Sequence, residues 1–267
     1  MRIILSPAKQ MKNEFEILEP TAIPVFIDKT EKLLEWMKSQ THENLQKMWK
    51  CNSKIAEENF ERLKNMDLHS HLTPAILAYE GIAYKYMAPS VFENGQFDYV
   101  QKHLRIISGF YGIVKPLDGI TPYRLEMGAK TNLKGYKDLY DFWGDSLYKL
   151  IKAESNIIIN LASNEYSKII EKYIKPNDIF ITINFCEKSN GKLITKGVYA
   201  KMARGEMVRF MAENNIENPE DIKKFNRLGY IYRDDISSEK EFVFERVVKK
   251  KDTSTFLTNT AILNLIK

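Results

Sequence analysis

The sequence predicts an α+β (mixed α/β) domain, a single compact body in which a mixed central sheet is surrounded by helices. Three observations carry that prediction. The short apolar runs Ile3-Ile4-Leu5 and Ile157-Ile158-Ile159 have the length and β-branched character of buried strands. Segments such as 28–37 and 198–214 are long enough, and spaced in their apolar residues, for helices. Asn190-Gly191 lies between two strand-like segments and is a strong hairpin signal. Hairpin strands mixed with long helices suggest one mixed sheet rather than a strict βαβ repeat.

In chain order, residues 2–5 form a buried strand that ends at Ser6-Pro7. Pro7, Pro20 and Pro24 make 9–26 a loop over the surface. Asp28 caps a helix through Leu33, Leu34 and Met37, and Asn52 or Ser53 caps another through Ile55, Phe60 and Leu63. Thr73-Pro74 reads as a helix start, with proline at the first helical position. A further helix spans 97–107, with Phe97, Val100, Leu104 and Ile107 on one stripe. Gly109, Gly112, Pro116, Gly119 and Pro122 then exclude a long helix.

Helix resumes over 138–151, broken or bent at Gly144, and 156–161 is a strand followed by a short helix capped by Ser163 or Asn164. Residues 178–187 and 192–196 form the hairpin around Asn190-Gly191. Helix follows over 198–214, and Pro219 after Asn218 opens another. Strands at 230–233 and 241–247 lie near the end of the sheet. The domain is placed at 1–248, with Lys249-Lys250-Lys251 opening a C-terminal extension, 249–267.

The composition excludes several classes. A hydrophobic fraction of 44% over 267 residues argues against a disordered chain. The N-terminus lacks the h-region of a signal peptide, and no apolar run is long enough to span a membrane. A cytoplasmic protein with Cys51 and Cys186 as reduced thiols is expected. The net charge of +5 is mild for a nucleic-acid binder. Standard signatures such as a Walker loop, HExxH, paired CxxC or GxSxG are missing. His69-Ser70-His71 has no evident third ligand, so no metal site is predicted, and no cofactor.

Three polar segments remain. Ser6-Pro7-Ala8-Lys9 follows a strand end, where Lys9 can serve an anionic ligand; a capped surface turn is the plainer reading. The run HLRIISGFYGIVKPLDGITPYRLEMG, 103–128, loosely resembles a helix–hairpin–helix clamp in which backbone N–H groups and basic side chains meet phosphate. Its glycines, 109 and 112, have two residues between them where the common hairpin has one. Lys201 and Arg204 fall on adjacent helical positions beside Gly205, and a solvated face would explain them equally.

With SPAK at 6–9, AYEGIAY at 78–84, DLYDFWGD at 138–145, NLASNEY at 160–166, AKMARGEMVRFM at 200–211 and FNRLGYIY at 225–232, that long run resembles the YaaA family of peroxide stress resistance proteins. The likeness runs in order from Met1 to about Val248. It implies a cytosolic protein of the hydrogen peroxide response with a fold likened to a cantaloupe, a helix–hairpin–helix-like element and a positively charged cleft that binds duplex or branched DNA. It also implies a link to limiting free iron, for which the sequence offers no carboxylate–histidine cluster.

On that reading Lys9, Arg105, Lys115, Arg124, Lys201 and Arg204 contact phosphates without sequence specificity. Tyr111 or Tyr123 is available to stack on an unpaired base. A monomer is expected. The alternative is an uncharacterised enzyme acting on a small molecule or nucleobase in a polar pocket formed by Ser6, Tyr84, Glu126, Asn160, Ser163, Glu165 and Tyr166. Glu126 there is a general base or an ion-pair partner of Arg124. The extension after Val248 would dock on the body or mediate self-association.

Overall fold

A computed structural model describes residues 1–13 and 18–247, so the extension expected at 249–267 lies outside the described residues. The first strand, β1 (Arg2–Leu5), is apolar on both faces. A two-residue strand β2 (Gln10–Met11) follows within the expected loop. Three helices come next, α1 (Ile27–Lys38), α2 (His42–Trp49) and α3 (Ser53–Lys64). The Thr41 hydroxyl accepts from Asn44 N at 3.3 Å and the Asn52 side chain from Ile55 N at 3.0 Å, so α2 and α3 have the side-chain caps their first turns need. Helix α2 was not expected from the sequence. Asp28 lies inside α1, whose N-cap position is Phe26.

Thr73-Pro74 does not open a helix as expected. It forms β3 (Thr73–Pro74), and one helical turn, α4 (Ala75–Ala78), begins after it with Pro74 at the N-cap position. β4 (Tyr79–Glu80) pairs with β2, and α5 (Ile82–Met87) follows. Helix α6 (Asn94–His103) opens on a capping box between Glu93 and Gln96 and stops at His103.

The expected continuation of that helix to Ile107 is β5 (Leu104–Ser108), buried throughout and paired in parallel with β1. A strand buried on both faces is a continuous apolar run, and Leu104 and Ile107 fit a helical stripe equally well. Glycines 109 and 112 then bound a tight turn into β6 (Gly112–Val114), antiparallel to β5, and β7 (Gly119–Ile120) pairs with β3. The run 104–128 contains no helix, so the helix–hairpin–helix reading is corrected to a buried β-hairpin preceded by one helix.

Helices α7 (Leu139–Trp143) and α8 (Ser146–Glu154) are separated at Gly144, as the sequence predicts. Strand β8 (Ile157–Asn160), helix α9 (Asn164–Glu171), and the hairpin β9 (Ile179–Ser189) and β10 (Lys192–Ile194) follow. Asn190 and Gly191 have φ of 50° and 78°, the left-handed pair a tight hairpin turn requires. Helix α10 (Gly197–Glu213) and strands β11 (Tyr230–Tyr232) and β12 (Glu241–Arg246) complete the fold; Pro219 opens a 3₁₀ turn.

The main sheet has the order β11-β12-β9-β8-β1-β5-β6, with β10 attached to β9. Its five central strands, β12 to β5, are parallel, and β6 and β11 are antiparallel edges. The chain leaves β1 for β5 on one side and leaves β8 for β9 on the other. Neighbours β1 and β8 therefore form a topological switch point, the place where open α/β sheets leave a crevice outside their carboxyl ends. Among the described residues, no helix is long and apolar enough to cross a membrane.

A candidate polar site at the switch point

Ser6 and Ser163 meet at this crevice. Ser163 N donates to Ser6 Oγ at 2.8 Å, and the two hydroxyls are 3.3 Å apart, so the end of β1 is tied to the start of α9. Ser163 holds the N-cap position of α9 but spends its side chain on Ser6 rather than on the helix. Tyr84, buried on α5, donates to the Ser6 carbonyl at 3.0 Å. Asn160 is buried, accepting from Ala162 N at 2.9 Å and donating to Thr182 Oγ1 at 3.3 Å. Its amide shapes the turn after β8, which removes it from the ligand-facing set.

The loop after β7 supplies the charges. Glu126, 14% exposed, has Lys9 Nζ 3.1 Å and Arg124 Nη2 3.6 Å from its Oε1. Arg124, 11% exposed, donates Nη2 to the Trp49 carbonyl at 3.3 Å. Neither Arg124 Nε nor Glu126 Oε1 has a hydrogen-bond partner, although both are sealed from solvent. A buried polar atom left without one costs on the order of 1–3 kcal/mol. Glu165 fixes the far wall, accepting from Gly128 N at 2.9 Å through Oε1, while its carbonyl accepts from Tyr140 OH at 2.8 Å.

The floor is phenolic. Tyr79 OH lies 2.9 Å from Tyr123 OH, which lies 2.6 Å from Ser108 Oγ at the end of β5. Burial raises the phenols of Tyr79, Tyr84 and Tyr166 well above the ordinary value, and that of Tyr123 to about 12. For Tyr166 the neighbouring Tyr123, Glu165 and Glu126 add to that effect. These groups therefore stay neutral and hold their protons through the physiological range. Tyr111 and Tyr123 are buried in this floor, which takes them from the role of exposed base-stacking platforms.

Ser6, Tyr84 and Ser163 are thus joined by hydrogen bonds at the end of β1, Lys9 and Arg124 meet at Glu126, and Tyr166 is a neighbour of Glu126 and Glu165. The other expected phosphate contacts lie elsewhere. Arg105 is 2% exposed, donating Nε to Glu154 Oε2 at 2.8 Å and Nη1 to the Gln101 and Leu104 carbonyls. It is corrected to a structural cation, because a side chain so enclosed cannot reach a phosphate. Lys115 is 3.8 Å from the same Glu154, at the amino end of the sheet, and Lys201 is exposed on α10. Arg204 is half-buried on the same helix, its Nε sealed and without a hydrogen-bond partner. Trp49 and Gly128 carry no chemistry in their spacing and were not singled out from sequence. Only the backbone of each is used.

Both thiols fit packing better than peroxide chemistry. Cys51 is half-buried, and Cys186 is buried, its pKa pushed up by desolvation, which disfavours the reactive thiolate. Among the described residues no group of three or more His, Cys, Asp or Glu side chains is placed to hold a metal ion. A wider cleft of about 1070 Å³ opens at the other end of β8 and β9, lined by Ile157, Ile179, Phe180 and Tyr232 among others, and contains none of the expected site residues.

Residues 1–236 match the family described as peroxide stress protein YaaA. A UPF0246 protein from Agathobacter rectalis is 64% identical over 248 residues, covering 93% of this chain and all of that protein. Similar proteins of the same description occur in Lachnoclostridium phytofermentans, 52% identical over 91% of this chain and 96% of the relative, and in Desulfitobacterium hafniense, 52% identical over 94% and 100%.

Proposed function

Because the chain belongs to the family of peroxide stress proteins named YaaA, we propose that it serves the peroxide response by binding a nucleotide-sized ligand in the switch-point crevice, rather than by clamping a duplex along a basic face. One observation carries this reading. The sealed Nε–H of Arg124 has no hydrogen-bond partner, and the sealed Oε1 of the adjoining Glu126 is held only by ion pairs, to the exposed Lys9 at 3.1 Å and to Arg124 Nη2 at 3.6 Å. An N–H donor next to an oxygen acceptor complements the C=O/N–H edge of a nucleobase or amide. Lys9, 66% exposed, is free to exchange Glu126 for the anionic part of such a ligand. Glu126 is then a carboxylate placed to accept a proton, with the neutral phenol of Tyr166 near it.

A duplex clamp needs several cations on one face, each neutralising a phosphate. Here Lys9 and Arg124 share Glu126, while Arg105 and Lys115 share Glu154 at the other end of the sheet. DNA as a partner is favoured by the exposure of Lys9 and Lys201, and it would present one phosphate or one unpaired nucleotide to the crevice.

The test is a thermal-shift titration with deoxynucleoside monophosphates and free nucleobases on wild type, Arg124→Ala and Glu126→Gln, with folding checked by circular dichroism. Ligand should raise the wild-type midpoint and lose at least tenfold in affinity in each variant. Equal responses in all three proteins would refute the site.

A further inference from the structure

The cleft of about 1070 Å³ lies at the amino ends of β8, β9 and β12, the opposite end of the sheet from the switch-point crevice. Its apolar lining comes from Ile157, Ile174, Ile179, Phe180, Tyr232 and Phe242. Ile179 is 45% exposed and Phe180 and Tyr232 are half-buried, although side chains of this size gain most from leaving water. The polar groups are largely committed. Asp178 is held by Lys152 and Tyr148, and Glu220 by Lys223, whose Nζ lies 5.3 Å from the Tyr232 ring centre and 4.9 Å from that of Phe242. That leaves the exposed carboxylates of Glu171, Asp234 and Glu239, against Lys175 and Lys240. Small-molecule sites run to about 1000 Å³ and orient their ligand with convergent polar groups. A wide, mainly apolar cleft without such groups suits a run of apolar side chains with a basic flank.

The chain itself has such a run. Residues 248–267 lie outside the described residues, and their sequence carries Phe256, Leu257, Ile262, Leu263, Leu265 and Ile266 after Lys249-Lys250-Lys251. So dense an apolar stretch calls for burial. The last described residue, Val247, directly follows β12, and Phe242 near the start of that strand lines the cleft. From Val247 back to Phe242 is five strand steps, about 17 Å. The eight residues 248–255 can span up to about 26 Å, so Phe256 comes within reach of the cleft in the same molecule. Attachment in cis makes the docking intramolecular, which favours this segment over a second copy.

We propose that the cleft is the docking surface for residues 256–266 of this same chain, with Lys249-Lys250-Lys251 passing its acidic rim. The apolar side chains of the segment cover Ile179, Phe180 and Tyr232. This surface is independent of the nucleotide reading of Glu126 and Arg124.

The test uses a labelled synthetic peptide of residues 249–267, titrated by fluorescence anisotropy with three full-length proteins checked by circular dichroism. These are wild type, Leu263→Lys with Ile266→Lys, and the same pair with Ile179→Lys added at the exposed cleft position. The peptide should bind the double variant, whose own segment is released, at least tenfold more tightly than wild type, and the added Ile179→Lys should abolish that binding. In a second measurement, chymotrypsin should cut after Phe256 at least tenfold faster in the single variant Ile179→Lys than in wild type. Equal peptide affinity for wild type and the double variant, or binding that survives Ile179→Lys, would overturn the proposal. So would equal cleavage rates, or a wild-type dimer in sedimentation that dissociates in the double variant, which would seat the segment on a second copy.

Discussion

Asp118 shows how a single buried group sets a pH dependence. Its carboxyl is 5% exposed, and burial raises its pKa to about 6, against the opposing Lys115 N–H and the charges of Lys115 and Arg105. The folded pKa therefore lies above the unfolded value of about 3.9. The folded state holds this proton longer than the unfolded chain, so the group's contribution is fully present below about pH 4 and lost as pH rises through about 6. Asp118→Asn should remove that slope and gain stability on the order of 2 kcal/mol above pH 6, read by urea denaturation at several pH values. Arg105 gives the complementary case. Burial pushes the Glu154 carboxyl up, but hydrogen bonds from Arg105 and Arg2 outweigh it and hold the group below its usual value. Arg105→Met leaves Glu154 poorly compensated and should cost about 3 kcal/mol in the same measurement. Nucleotide binding should be unchanged, because this pair lies at the opposite end of the sheet from Glu126.

Among elements, the crossing of α5 and α10 does most to position the crevice, because it fixes Tyr84 and through it Ser6. Gly205→Ala should force the helices apart, cost about 3 kcal/mol in urea denaturation, and weaken nucleotide binding as Tyr84 shifts. A Cβ at Gly205 would overlap the carbonyl oxygen of Ala83, 122 positions away in the chain, a contact no local sequence pattern reveals. The Asn190-Gly191 hairpin and the break at Gly144 were legible because their causes are local. β5 was not, since parallel pairing with β1 leaves no periodic mark on a fully buried strand. Helix α2 has a local cause as well, the Thr41 side chain that accepts from Asn44 N at its start.

At the scale of the molecule, the sheet order does what no single motif does. It carries Ser6, Glu126 and Ser163, far apart in the chain, to one crevice between β1 and β8. The sequence identified those residues by type and by family resemblance, and the strand ends at Ser6 and Asn160 were visible in it. Which cations share a face was not visible, because charge partners such as Glu126 and Glu154 are set by tertiary contact. Six basic residues that look like one set in the chain separate into a pair at Glu126, a pair at Glu154 and two on α10.

The most direct test of the crevice as a compact-ligand site is fluorescence anisotropy of the full chain on labelled duplex and junction DNA over a salt series, with and without competing deoxynucleotide. If only Lys9 and one or two neighbouring cations meet phosphate, log K should fall with log salt at a slope no steeper than about −2. Free deoxynucleotide should then displace the DNA, and Arg124→Ala should bind neither. A slope near −5, unaffected by deoxynucleotide and unchanged in Arg124→Ala, would mean an extended clamp elsewhere on the surface and contradict this account.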